Sequence, residues 1–312
     1  MTALLEIKQA IRKFYIKNEV YITYLWKFLL ALISIAVINN KLGYMSSLNN
    51  IAIVLMASLL CAILPANFIV FIAAVFIIGH LFALAPECAV IALIVFALMF
   101  LLYFRFSPKD TLAVLLTPLL FFLHIPYVVP IAAGLLGTPA SIISVSFGLV
   151  ISYMISYFSA KTTGAGSENV EAAALEFKSM ITGMLGNKAM IVMIAAFAIT
   201  IAVVYIIRRS SVDNCWKIAI ASGAIALVIV AIIGAVATKA DISIAGVIIG
   251  TIISAVLTLV IEFFSFNLDY SRTEKVQFED DDYYYYVKAV PKVTLTAPNR
   301  RVKKINRATG QR

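Results

Sequence analysis

The stretch from Ile125 to Pro139 constrains this chain more than any other. Pro126, Pro130 and Pro139 fall there together with Gly134 and Gly137, inside an apolar region. A continuous helix does not tolerate that density of breakers. In lipid, a broken backbone survives only where protein or a water-filled cavity satisfies its freed N–H and C=O groups. Either two short helices meet here, or a half-helix dips in and turns back.

Composition makes lipid the surroundings. The 312 residues are 62% hydrophobic and 13% charged, with a mean hydropathy of +1.00. A soluble domain lies nearer half apolar and a quarter charged. The apolar excess sits in runs of transmembrane length, which excludes a soluble enzyme with a large core. The net charge of +9 lies largely at the two ends and in two short loops, where it bears on orientation more than on nucleic acid. Cys61, Cys88 and Cys215 fall in separate segments without CxxC or Cys/His spacing, so they read as packing residues. No cleavable signal pattern precedes the first apolar run, which reads as a retained helix.

The chain reads as an all-α polytopic membrane protein of about ten transmembrane helices, with a broken central segment and a small cytoplasmic β-rich C-terminal tail. Residues 1–20 form an amphipathic helix at the inner interface. Its stripe is Leu4, Ile7, Ile11 and Phe14, and Lys8, Arg12, Lys13 and Lys17 surround it. A plain cytosolic extension of the first span reads equally well. Residues 21–266 form the transmembrane domain, with spans expected over 24–38, 50–64, 66–85, 88–104, 111–125, 127–137, 140–158, 189–207, 216–237 and 242–266. Asn39 to Gly43 reads as a loop, and Pro118 as a bend in the fifth span. The polar interval 160–188 carries a second amphipathic helix, with Val170, Ala174, Phe177, Ile181 and Leu185 along one stripe. Residues 267–296 read as strand, acidic turn and strand, with a third strand available at Lys292 to Thr296. Residues 297–312 read as a basic, disordered tail.

Basic residues place both termini in the cytoplasm of a plasma membrane, and they suit a bacterial one. Arg105, Lys109, Arg208, Arg209 and Lys217 fall on the same side. The chain must then cross an odd number of times between Asp110 and Ala160. Three crossings satisfy this, as does one crossing with a re-entrant loop. With three, residues 50–104 and 111–159 read as two inverted copies of a three-helix unit, a pattern that points to secondary transporters.

The expected transport pathway comprises Pro126, Pro130, Gly134, Gly137, Thr138 and Pro139, with His80 and His124 facing an external vestibule. For both histidines, an interfacial side chain bonded to a backbone carbonyl is the favoured alternative. Ser144, Gly148 and Ser152 on the seventh span, and Gly246, Gly250 and Ser254 on the tenth, recur every four residues and read as helix-packing positions. Motifs for nucleotide, zinc or serine-nucleophile chemistry are absent, so neither a metal, a cofactor nor an enzymatic role is expected.

The functional expectation is a permease-like protein that moves a small polar or ionic solute beside the broken helix. The alternative is a non-enzymatic scaffold or complex subunit. Its tail would recruit a cytosolic protein, and its small-residue stripes would serve assembly, including a homo-oligomer. A lipid-handling membrane enzyme stands third. Architecture of this outline is similar to that of many transporters, and architecture does not fix function.

Overall fold

The computed structural model describes residues 2–160, 178–179, 181–184, 186–265, 274–279 and 284–289. The expected amphipathic stripe at 170–185, the third strand at 292–296 and the basic tail lie wholly or largely outside these. The chain divides into two units, residues 18–263 and a second made of residues 1–17 and 264–312.

The larger unit is helical: α2 (Glu19–Leu42), α3 (Ile51–Ile63), α4 (Asn67–Leu84), α5 (Pro86–Phe106), α6 (Thr111–Phe122), α7 (Val128–Leu136), α8 (Ser141–Ser159), α9 (Lys188–Arg208), α10 (Cys215–Thr238) and α11 (Ile244–Ser265). Seven of these, all but α3, α6 and α7, are long and apolar enough to cross a membrane. Their outer surfaces agree. Ile225, Ile229, Ile233 and Val236 of α10 are all about half exposed or more, a stripe that water would penalise and acyl chains would not. The chain is thus a multi-pass membrane protein.

Helix ends follow local chemistry. Asn50 and Asn187 accept N–H donors from the first turns of α3 and α9. The first long helix runs past the expected loop at Asn39, because Gly43 supplies a left-handed stop at φ 61°. Asn39 then serves the fold. Its amide donates to the Leu48 carbonyl at 2.7 Å, and its oxygen meets His80 Nε2 at 2.8 Å.

The helix α8 divides the interior. Ile151, Met154, Ile155 and Phe158 face a core built from α2, α3, α4, α5 and α6. Val145 and Leu149 face a second core with α7, α9, α10 and α11. Hydroxyls on these helices mostly donate back to their own turn: Ser34 to Leu30, Ser58 to Val54, Thr117 to Ala113 and Thr200 to Ala196. The two expected inverted copies pair differently. The first and third helices of the later triplet, α6 and α8, pack closely. In the earlier triplet, α3 packs on α2 and α4, and α5 on α4 and α8.

The second unit contains α1 (Thr2–Lys17) and a two-stranded antiparallel pair, β1 (Glu274–Glu279) and β2 (Tyr284–Ala289). Glu279 stands opposite Tyr284, and Glu274 opposite Ala289. On α1, Ile7, Ile11 and Phe14 are all more than half exposed.

Val204 of α9 is wedged between two glycines on different helices. A Cβ on Gly134 of α7 would lie 2.7 Å from Val204 Cβ, and a Cβ on Gly223 of α10 would collide with Val204 Cγ2. Gly223→Ala should therefore cost about 1–3 kcal/mol. Adding Val204→Ala, which removes the colliding methyl, should recover part of that cost through a favourable coupling of about 1 kcal/mol or more. Reversible unfolding of the four proteins of the cycle in bicelles measures it. Strict additivity would show that no wedge exists.

Candidate functional site

The central stretch folds as a helix hairpin, α6 and α7, and its prolines begin helices rather than break them. Pro126 precedes α7, Pro130 lies in its first turn where the N–H has no intrahelical acceptor, and Pro139 precedes α8. Pro118 alone sits beyond the first turn of a helix in the hairpin.

The hairpin is short. Twelve residues of α6 and nine of α7 span about 18 and 14 Å at 1.5 Å per residue, against a hydrocarbon layer of about 30 Å. It starts beside Asp110 and ends beside Arg208, so both of its open ends lie at one end of the bundle. Its apex reaches only midway: the Tyr127 ring meets Phe197, in the middle of α9, at 6.1 Å between centroids.

A Schellman turn closes the apex. His124 takes the left-handed position at φ 60°, the Ile125 amide donates to Leu120 at 2.9 Å and the His124 amide to Phe121 at 3.1 Å. Backbone groups at mid-depth are thereby satisfied locally, as lipid demands. Glycine is the usual residue at this position. Histidine tolerates it better than a β-branched residue does.

At the other end of α7, two carbonyls project beyond the helix. Arg208 Nη1 donates to Leu135 O, and Nη2 donates to Gly137 O at 2.7 Å. A guanidinium fork supplies both bonds and complements the negative end of the helix dipole. Asp110, at the start of α6, accepts from Ser141 Oγ at 2.6 Å, and Ser141 Oγ in turn accepts from the Thr138 amide at 3.2 Å. Ser107 and Ser144 hydroxyls meet at 2.7 Å, and Tyr103, Thr111 and Asn67 form a neighbouring cluster. This end is closed by polar contacts.

The opposite side of the apex is open. A cavity of about 430 Å³ lies above it. Phe121, Phe122, Pro126 and Tyr127 of the hairpin line its base and walls. Lys41 ends α2 at its rim, with Ser156 and Ser159 from α8 and Ser243 at the start of α11. The Lys41 ammonium stands 5.0 Å from the Phe122 ring centroid.

The expected site residues separate. His124 and Pro126 line the cavity. Gly134 packs on α9, Gly137 presents a carbonyl to Arg208, and Thr138 and Pro139 join α7 to α8. His80 is outside the cavity lining. It is fully buried, with Nε2 on Asn39 and Nδ1 accepting the Met45 amide at 3.1 Å, so it anchors the loop after α2. Nearby, the Tyr44 hydroxyl donates to Phe158 O at 2.7 Å, and burial pushes its pKa up.

Of the small residues, Gly148 receives Thr117 of α6, Ser144 bonds Ser107, and Ser152 bonds its own turn. Gly250 packs under Tyr127, while Gly246 lines the cavity. Ser254 Oγ and Thr251 Oγ1 are buried, and neither finds a partner among the described residues. Sequence reasoning missed Arg208, Asp110, Ser141 and Lys41 as parts of the site. For Arg208 the signal was its position one turn beyond Val204, on the face that carries the wedge.

No protein-family model matches this chain, and neither a curated protein nor a solved structure matches it.

Arg208→Gln should cost about 1.5–3 kcal/mol, since it removes a charged donor from the Leu135 and Gly137 carbonyls. Arg208→Lys should restore only part of this, because an ammonium cannot reproduce the fork. Thermal unfolding in detergent measures both. At the apex, His124→Gly should stabilise the protein and His124→Val should destabilise it by about 1 kcal/mol, in line with the cost of the left-handed region. Equal melting temperatures for these two variants would contradict the Schellman assignment.

Proposed function

We propose that this protein is a permease-like membrane protein that carries a small polar or ionic solute along a path beside α7. The observation carrying this reading is the half-depth hairpin, with an open cavity on one side of its apex and an Arg208-capped polar closure on the other. Irregular backbone at membrane depth is characteristic of solute pathways, where helix ends face the cargo. Only about half of a membrane thickness separates the cavity floor from the closed end, so a small rearrangement of α7 and Arg208 exchanges access between the two sides.

In this reading the termini are cytoplasmic and the membrane is a plasma membrane. Arg105, Lys109, Arg208, Arg209 and Lys217 gather at the closed end, which positive-inside assigns to the cytoplasm. The cavity then opens outward. In this reading the 13-residue α3 crosses along with the seven long helices, so eight crossings and one re-entrant hairpin stand in place of the expected ten, and the odd count between Asp110 and Ala160 is kept. With the hairpin re-entrant, the inverted-repeat expectation has less to support it. A second reading, a scaffold with a cytosolic partner, is favoured by Tyr284 and Tyr286 on β2, which are 70% and 76% exposed.

The test is uptake into proteoliposomes, using radiolabelled amino acids, sugars, carboxylates and inorganic ions. At least one should enter faster than into empty vesicles. Gly134→Leu, which drives α7 away from Val204, should abolish that uptake, and a chain ending after Phe266 should retain it. Uptake that needs the tail and ignores Gly134 would favour the scaffold, as would no uptake together with a tail that recovers a partner. In intact cells, a single cysteine at Ser167 should react with an impermeant thiol reagent and one at Ser211 should not.

A further inference from the structure

We propose that the cavity above the α6–α7 apex is a binding site for a small organic monoanion, a carboxylate carried on an aromatic or aliphatic body. The inference rests on the permease reading only in naming the class of solute; binding at the site stands apart from transport.

The side-chain charge in the lining has one sign. Lys41 is the charged side chain in the lining, and none of the lining residues is acidic. The nearest acid in sequence, Asp241, is exposed and outside the lining. Among the described residues Lys41 has no carboxylate partner. Its contact is the face of Phe122, which holds an ammonium in place without neutralising it. The helix ends at the cavity offset one another, since α7 and α11 begin there while α2, α6 and α8 end there, so the lysine and not the dipoles sets the sign.

The rest of the lining describes the body of the ligand. Phe121, Phe122, Pro126, Tyr127 and Ile242 offer apolar surface, and the hydroxyls of Ser156 and Ser243 offer donors near the rim, while that of Ser159 donates to Ser156 O. A volume of about 430 Å³ falls in the range of small-molecule sites and is ample for a compact organic acid. An inorganic anion would leave the aromatic wall unused. A cation would meet the Lys41 ammonium.

The experiment uses the full chain with its three native cysteines replaced by alanine and a single cysteine at Ser243. It is reconstituted in phosphatidylcholine nanodiscs, so that no anionic headgroup occupies the site. Reaction rates with a negatively charged and a positively charged methanethiosulfonate are compared, each normalised to a free thiol. The anionic reagent should be favoured by about tenfold. Lys41→Gln should abolish the preference, Lys41→Glu should invert it, and Lys41→Arg should keep it. Benzoate should slow labelling at millimolar concentration, whereas benzylamine and benzyl alcohol should not. Gel filtration and a melting curve for each variant separate loss of preference from loss of fold.

A preference for the cationic reagent, a preference indifferent to Lys41→Gln, or protection by benzylamine equal to that by benzoate would overturn the proposal. Protection by benzoate without any uptake in proteoliposomes would keep this site and remove the permease reading. Uptake of a cation or neutral solute, with unselective labelling, would do the reverse.

Discussion

The grip of α9 on α7 is the contact on which the rest of the site depends. α7 is too short to cross a membrane and has too few turns to be stable alone. It persists because one face of α9 holds it at three successive levels. Phe197 meets Tyr127 at its start, Val204 fits against Gly134 in its middle, and Arg208 covers its last carbonyls. The glycine is what lets the two backbones approach, and the approach brings Arg208 within reach of Leu135 and Gly137. Gly223 extends the same wedge to α10, so three helices share one methyl-sized clearance. Packing of this kind substitutes for the hydrophobic effect, which gives little drive between helices in lipid.

The polar groups follow the same economy. Most hydroxyls on the long helices bond their own preceding turn and so present an apolar outer surface. The exceptions gather at the two ends of the hairpin. At one end Asp110, Ser141 and Thr138 join the start of α6 to the start of α8. At the other, the apex satisfies its own backbone and leaves serines and Lys41 around a cavity. A structure that had to hide every polar group would have spent these differently. Their separation into a closed end and an open end is what makes a pathway the most economical reading of the architecture.

Much of the membrane architecture was legible in the sequence because lipid imposes long apolar runs. The boundaries of α3, α4, α5, α9 and α10 fall within about two residues of expectation. The end of α2 was misjudged because Asn39 and Asn40 look like loop residues, whereas the stop lies at Gly43 and Asn39 is held by Leu48 and His80. The prolines of the central stretch announced an interruption but not its depth. Depth is set by Phe197, Val204 and Arg208, some seventy residues downstream, and periodicity carries no information about that distance. His124 was identifiable as an outer histidine. Its backbone role was hidden because glycine ordinarily fills that position, although the following Ile125-Pro126 is the usual sequel to a helix stop. Lys41 was assigned to a loop, and its place at the cavity rim depends on α2 continuing to Leu42.

The shortness of α7 has an electrical consequence. Where water fills the cavity down to the apex, a voltage across the membrane does not fall evenly over its thickness. It falls mainly across the remaining insulating layer, the length of one nine-residue helix. A monovalent ion crossing that layer experiences nearly the whole potential, worth about 2.3 kcal/mol per 100 mV, in roughly half the usual distance. The field there is correspondingly about doubled, and it lies along the axis of α7, whose own dipole ends at Arg208.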